Sequence, residues 1–265
     1  MHSLVALEVP AGRVGVHWFE QSSYAVKDPE GTLVLVDPYF PHQRPAERYL
    51  HPEPPVQERE LPADYVLLTH DHSDHTHPET IRRLVEAHPH VHFFGPKESI
   101  ARIVQEAGVD PDRTNVVQAG EEFQLGTMTA WAVWAKPPHG DPNRGIAPPD
   151  VTHLGYVVQA GEVRLYFSGD PIHTFAEQEA LIEAIARLRP DVGFLTTHPS
   201  EGEFPFFEGS AQMARRIGLK HAVPAHYDCF VRRNYDPQEW AAYFGPEDPQ
   251  PLIIPRNTTI LYPPD

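Results

Sequence analysis

Residues 69 to 77 read Thr69-His70-Asp71-His72-Ser73-Asp74-His75-Thr76-His77, directly after the apolar run Tyr65-Val66-Leu67-Leu68. With this content of His and Asp, an H-x-H-x-D-H string arises by chance in about 0.4% of such chains, so chance explains it poorly. A strand that ends in a tight loop throws several side chains to one side. His70 and His72 can then chelate one cation while Asp74 and His75 reach a second. Imidazole and carboxylate together suit zinc, manganese or iron, and the lack of thiolates argues against a closed structural zinc site. One loop cannot complete two coordination shells. The reading therefore requires more His and Asp at distant strand ends, and the sequence offers His139, Asp170 and His226.

The elements that must position these side chains are legible in the spacing of apolar residues. Val14 to Phe19, Tyr24 to Lys27, Leu33 to Asp37 and Tyr65 to Thr69 read as strands. The proline-dense stretch from Pro38 to Pro62 reads as a surface loop, a flap beside a pocket. Pro78 suits a first helical turn, and Ile81, Leu84 and Val85 continue at helical spacing. A second helix is predicted from Lys97 to Ala107, stopped by Gly108. Strand-like runs follow at His90 to Phe94, Thr114 to Gln118 and Met128 to Ala135, and Lys136 to Asp150 is a long loop containing His139. His153 to Gln159 and Glu162 to Phe167 form a hairpin ending at Ser168-Gly169-Asp170. An amphipathic helix from Phe175 to Leu188, a strand at Val192 to Leu195, a helix at Ser210 to Ile217 and a strand at His221 to Ala225 lead into His226. Strands first, then strands interleaved with helices, twice over, favour two packed sheets with helices outside.

Composition narrows the partners. Twenty-one Lys and Arg against 37 Asp and Glu leave a formal charge of −16, which disfavours general binding of nucleic acid. Cys229, the single cysteine, cannot form an internal disulfide, and no run approaches a membrane span, so a soluble, cytoplasmic protein is expected. A homo-oligomer is compatible with this reading. Seventeen histidines supply an unusual stock of neutral imidazole, the form that ligates metal. Among them, His77, His153, His173 and His198 read as pocket-lining or surface residues.

The H-x-H-x-D-H string after a strand, a later His in a loop, a Gly-Asp after a hairpin and a final His after a strand resemble the metallo-β-lactamase-fold hydrolases. The resemblance runs from about Val14 to Tyr262. Within that family, Val223-Pro224-Ala225-His226-Tyr227-Asp228 and Leu33-Val34-Leu35-Val36-Asp37-Pro38 are similar to the branch containing L-ascorbate-6-phosphate lactonase. The resemblance implies a four-layer αββα fold of two mixed sheets, a single hydrolase domain over residues 1–265, and two divalent metal ions. One ion would be held by His70, His72 and His139, the other by Asp74, His75 and His226, with Asp170 bridging both. Asp37 would orient a ligand instead of binding metal. The sequence departs from the common pattern at Gly169-Asp170-Pro171, where relatives often carry Thr after the Asp, and in the added His173.

Two such cations, about 3.5 to 4 Å apart, would lower the pKa of a bridging water toward neutrality. Asp74 or a pocket histidine would carry the proton to the leaving group. The expected substrate is a small anionic ester or lactone, with Arg144 or Arg232 as the anion contact. A phosphodiester of a small nucleotide or lipid head group is the rival. Diiron reduction of oxygen or nitric oxide is disfavoured, because His72 stands where such enzymes are expected to place Glu. A scaffold that holds metal for stability alone is disfavoured by the sulfur-free ligand set.

Overall fold

Alternation at period two sorts the apolar residues of the first strands onto two faces, and both faces are covered. Val34 and Val36 point one way and Leu33 and Leu35 the other, each into its own cluster of buried side chains. The computed structural model of the chain describes residues 2–264. Its first sheet contains β1 (Val14–Glu20), β2 (Ser23–Lys27), β3 (Leu33–Val36), β4 (Tyr65–Leu67), β5 (His92–Gly95) and β6 (Thr114–Val116). The second contains β7 (Glu122–Leu125), β8 (Met128–Trp134), β9 (Leu154–Ala160), β10 (Val163–Phe167), β11 (Val192–Thr196), β12 (His221–Ala225) and β13 (Gln250–Pro251). A last strand, β14 (Thr258–Tyr262), returns to β1, giving the orders β14-β1-β2-β3-β4-β5-β6 and β13-β12-β11-β10-β9-β8-β7.

The sheets pack face to face. Tyr24 of β2 meets Phe194 of β11 at 4.8 Å between ring centroids and Phe167 of β10 at 5.3 Å. Of the helices, α1 (Ser3–Ala6) is a single turn. Helices α2 (Pro78–Ala87) and α3 (Lys97–Ala107) cover the first sheet with Ile81, Leu84, Ile100 and Ile103. Helices α4 (Glu179–Ala186) and α5 (Phe207–Ile217) serve the second sheet through Ile182, Ile185, Met213 and Ile217, and α6 (Pro237–Ala241) follows. Each such side chain stabilises the fold by about 1.5–3 kcal/mol through burial. The result is the four-layer sandwich of two mixed sheets. Among the described residues no helix is long and apolar enough to cross a membrane.

One expectation changes. The helix expected from Phe175 to Leu188 is split: a 3₁₀ turn over Phe175–Glu177 precedes α4, because Gln178 between them is extended and its amide donates to Asp141 and Thr174. The proline-dense loop is largely irregular and borders a cavity through Glu47 and Arg48, and several contacts hold it to the body of the fold. Arg44 pairs with Glu20 at 2.6 Å with both side chains fully buried, and the Tyr39 and Tyr49 hydroxyls meet at 2.6 Å. Tyr49 forms an antiparallel bridge with Phe230, flanked by Leu50 N–H donating to the Cys229 carbonyl and Val231 N–H to the Arg48 carbonyl, both at 2.9 Å. Removing either partner of such a buried ion pair costs about 3–5 kcal/mol, so this pair anchors the loop to β1.

Strand direction brings the chemistry to one edge. β3, β4 and β5 run parallel, as do β10, β11 and β12, and the loops after their carboxyl ends face each other. There the Leu154 N–H donates to the Thr69 carbonyl at 2.9 Å, and the Tyr156 hydroxyl donates to the Leu68 carbonyl at 2.8 Å, tying one sheet to the other.

Candidate metal centre

Six side chains reach this edge from strand ends: Asp37 after β3, His70 and His75 after β4, His153 before β9, Asp170 after β10 and His226 after β12. All six are buried. β9 is antiparallel to β10, with Tyr156 opposite Phe167, so the start of one strand lies beside the end of the other. His153 and Asp170 therefore arrive together. The turn that carries Asp170 needs glycine: Gly169 has φ +55°, and a Cβ there would lie 2.5 Å from the Leu154 carbonyl oxygen. Asp37 (φ +44°), His226 (φ +69°) and Gln21 (φ +57°) also adopt left-handed backbone, which costs on the order of 1–3 kcal/mol for residues other than glycine and is characteristic of functional sites.

The potential ligand atoms form two groups that share one carboxylate. His70, His72 and His153 make one cluster, and Asp74, His75 and His226 the other, with the donor atoms of each lying within 4.8 Å of one another. Asp170 stands between them. Its Oδ2 is 3.5 Å from His70 Nε2, while its Oδ1 is 3.4 Å from His75 Nε2 and 3.7 Å from His226 Nε2. His70 Nε2, His75 Nε2, both ring nitrogens of His153 and Asp170 Oδ1 are buried without a hydrogen-bond partner. Unpaired buried polar atoms are costly, and so many converging on one point fit a set of cations.

Asp37 and Thr69 set the tautomers. The carboxylate accepts from the Thr69 N–H at 2.8 Å and the Thr69 hydroxyl at 2.6 Å, and from His75 Nδ1–H at 2.7 Å. With its proton so engaged, the Thr69 oxygen accepts from His70 Nδ1–H at 3.0 Å. Both rings thus turn an Nε2 lone pair toward Asp170, the arrangement that a metal ligand requires. Electrostatics distinguish the two rings. Burial, reinforced by neighbouring His75, pushes His70 down to about 3, so it is a neutral imidazole. Burial alone would raise Asp170, but His75, His226 and His70 outweigh it and hold the carboxyl well below its ordinary range. His75 is raised well above the usual histidine value, its burial overcome by Asp170 and Asp37, so without a cation its Nε2 keeps a proton that a bound metal ion would displace. In the metal-free centre the His75 proton thus stands against the Asp170 carboxylate, in the place that a cation would take.

His139 is a correction to the sequence reading. It is exposed in the loop after β8 and belongs to none of the clusters; His153 supplies the third imidazole, its ring stacked 4.2 Å from that of His70. His72 is partly exposed and lies 3.1 Å from Asp150. His77 caps α2 by accepting from the Thr80 N–H, and His198 is buried, its Nδ1 accepting from the Glu201 N–H at 3.0 Å. His173 lines a small cavity with Lys136, Asp150 and Glu203.

Asp74 opens the centre to the outside. It borders a cavity of about 450 Å3 lined also by Glu47, Arg48, Ser73, Phe230, Arg232 and Arg233. Arg233 is tied to Glu201 at 3.0 Å, whereas Arg48 lies over the Tyr49 and Phe230 rings. Arg232 is exposed at the cavity's rim. Arg144, the other expected anion contact, is instead paired with Glu177 and does not line this cavity.

A model of the beta-lactamase superfamily domain matches residues 32–227. The chain belongs to that family. It is similar to a UPF0173 metal-dependent hydrolase of Caldivirga maquilingensis, 26% identical over 233 residues covering 84% of this chain and 86% of the relative. It is also similar to an N-acyl-phosphatidylethanolamine-hydrolyzing phospholipase D 1 of Caenorhabditis elegans, 26% identical over 166 residues, or 58% of this chain and 45% of that protein. The chain thus matches less than half the length of the nematode enzyme. Among solved structures it resembles Igni18, a metallo hydrolase of Ignicoccus hospitalis, with a TM-score of 0.68 at 19% identity over 96% of this chain and 100% of the other, a likeness of fold. Family membership and the buried His and Asp cluster agree on a metal-dependent hydrolase of the metallo-β-lactamase superfamily.

Proposed function

We propose that the chain hydrolyses a small ester or lactone bearing an anionic group, using two divalent cations, with zinc or manganese fitting the donors and iron a third choice. The observation that carries this reading is the shared carboxylate: Asp170 divides its two oxygens between the His70 and the His75–His226 groups. Cations held there supply Lewis-acid activation of the carbonyl oxygen and of the attacking water. The chain's own residues do the rest. Asp37 and Thr69 fix the imidazole tautomers. Arg232 and Arg48 bind the substrate's anionic group at the mouth, and Phe230 packs against its apolar part. Asp74 is the ligand that borders the cavity, so it is placed to carry a proton to the leaving oxygen. Burial would raise its carboxyl, but His226 and His75 prevail and keep it ionised, the form that ligates a cation.

A second reading, cleavage of a phosphodiester, draws support from the similarity to the nematode phospholipase D. A panel of lactones, carboxylic esters and phosphodiesters, assayed with zinc-, manganese- and iron-loaded protein, separates the two. Turnover of lactones or esters that is lost in Asp170→Ala and lowered in Arg232→Ala is the expected result. Preference for phosphodiesters would favour the second reading, and full metal loading with no cleavage across the panel would overturn both.

A further inference from the structure

Gln21 occupies the turn between β1 and β2, and the fold builds that turn with care. The Trp18 indole donates to the Gln21 carbonyl at 3.0 Å. The Gln21 N–H donates to the Tyr227 carbonyl at 3.0 Å, and the His226 N–H donates back to the Gln21 carbonyl at 3.1 Å. The backbone is left-handed at both residues, so two strained positions hold each other in register across the sheets. The side chain this produces is fully buried and ends at the ligands: Nε2 is 2.8 Å from Asp74 Oδ2 and 2.8 Å from His226 Nε2, atoms themselves 3.6 Å apart. Its own Oε1 is buried with no partner.

This orientation is one that a cation would reverse. With His226 in the tautomer that leaves Nε2 a lone pair, as ligation requires, the amide N–H groups cover that lone pair and one of Asp74 with partial positive charge, which a metal ion there would repel. Half a turn about the last side-chain bond exchanges nitrogen for oxygen and would turn the amide oxygen, now without a partner, toward the ligand atoms. We infer that Gln21 is a further ligand of the second cation, adding its amide oxygen to Asp74, His75, His226 and Asp170. The two positions then differ in kind. The His70, His72 and His153 group is rich in imidazole, whereas the second position gains a neutral oxygen and accommodates a harder ion such as manganese better than the first does.

The test is metal binding on the full chain, with no substrate involved, so it stands or falls separately from the hydrolytic reading it rests on. Gln21→Leu keeps the size and removes the donor; Gln21→Glu restores an oxygen. Wild-type protein should take up two manganese ions, and Gln21→Leu should hold one with wild-type affinity while the second weakens at least about tenfold, less so for zinc. Gln21→Glu should recover the second ion. Melting of the metal-free variants checks that each folds. A wild type that takes up one ion, a Leu variant that binds both as tightly as wild type or loses both equally, or a Glu variant no better than Leu would each overturn the assignment.

Discussion

Replacing His153 by alanine separates the geometry from the sequence pattern. Both ring nitrogens are buried without a partner, and the ring stacks on His70 at 4.2 Å. In the metal-free protein the side chain therefore contributes packing, about 2–5 kcal/mol, and costs desolvation of two unpartnered nitrogens, about 1–3 kcal/mol each, effects of opposite sign and similar size. Metal-free His153→Ala should melt close to wild type. The loaded protein should behave otherwise. Losing even an outer partner of a ligand costs about 10–100-fold in metal affinity, so losing one of three imidazoles should cost at least about 100-fold. With free ion at about 100 times the wild-type dissociation constant, binding stabilises the fold by about 2.7 kcal/mol; after a 100-fold loss that falls to about 0.4 kcal/mol. Thermal melting with and without added ion, beside metal content after dialysis, reads this directly. His139→Ala should keep the full increment. If His139→Ala loses it and His153→Ala does not, the assignment of the first cluster is wrong.

Three further outcomes follow from the same contacts. Asp37→Asn, which places an amide against His75 Nδ1–H or the Thr69 hydroxyl, should weaken metal binding about 10–100-fold, and Thr69→Val should do so about tenfold, both measured by chelator competition. Arg232→Ala should raise KM for anionic substrates about tenfold or more with kcat nearly kept, whereas Arg144→Ala should leave both unchanged in steady-state assays. His17, held by Thr259 and Asn257, is pushed down to about 4 by burial and by neighbouring His2. Between pH 6.5 and about 4 the unfolded chain binds a proton that the folded one refuses, so stability should fall with pH by about 2–3 kcal/mol at pH 4.5. Urea unfolding of metal-free wild type and His17→Gln checks this: the variant should lose that much less.

Most of the frame was readable because periodicity reports burial. The runs that became β1, β3, β10 and β12 are mostly apolar and almost wholly buried, and α3 ends at Gly108 as expected, with φ +73°. β14 was not read, since a five-residue strand at a sheet edge carries little pattern until its partner β1 is known. The His70 to His75 loop announced itself through residue type and spacing. His153 did not, because which end of a strand faces the centre depends on pairing direction. That signal was nonetheless present. The hairpin was evident, and in any hairpin the residue before the first strand lies beside the residue after the second, which pairs His153 with the end that leads to Asp170. Gln21 was invisible for another reason: an uncharged amide suggests no chemistry until a turn delivers it to Asp74 and His226.

The distribution of donors along the chain has a consequence for biogenesis. The first imidazole stands at position 70 and the last at 226, on opposite sheets. During synthesis the early histidines leave the ribosome long before β9 to β12 exist, and in that interval they are a partial chelate open to any passing ion. The full set of donors exists only once the second sheet has closed over the first. A nascent chain ending before His221 would hold metal only loosely, whichever ion it had met.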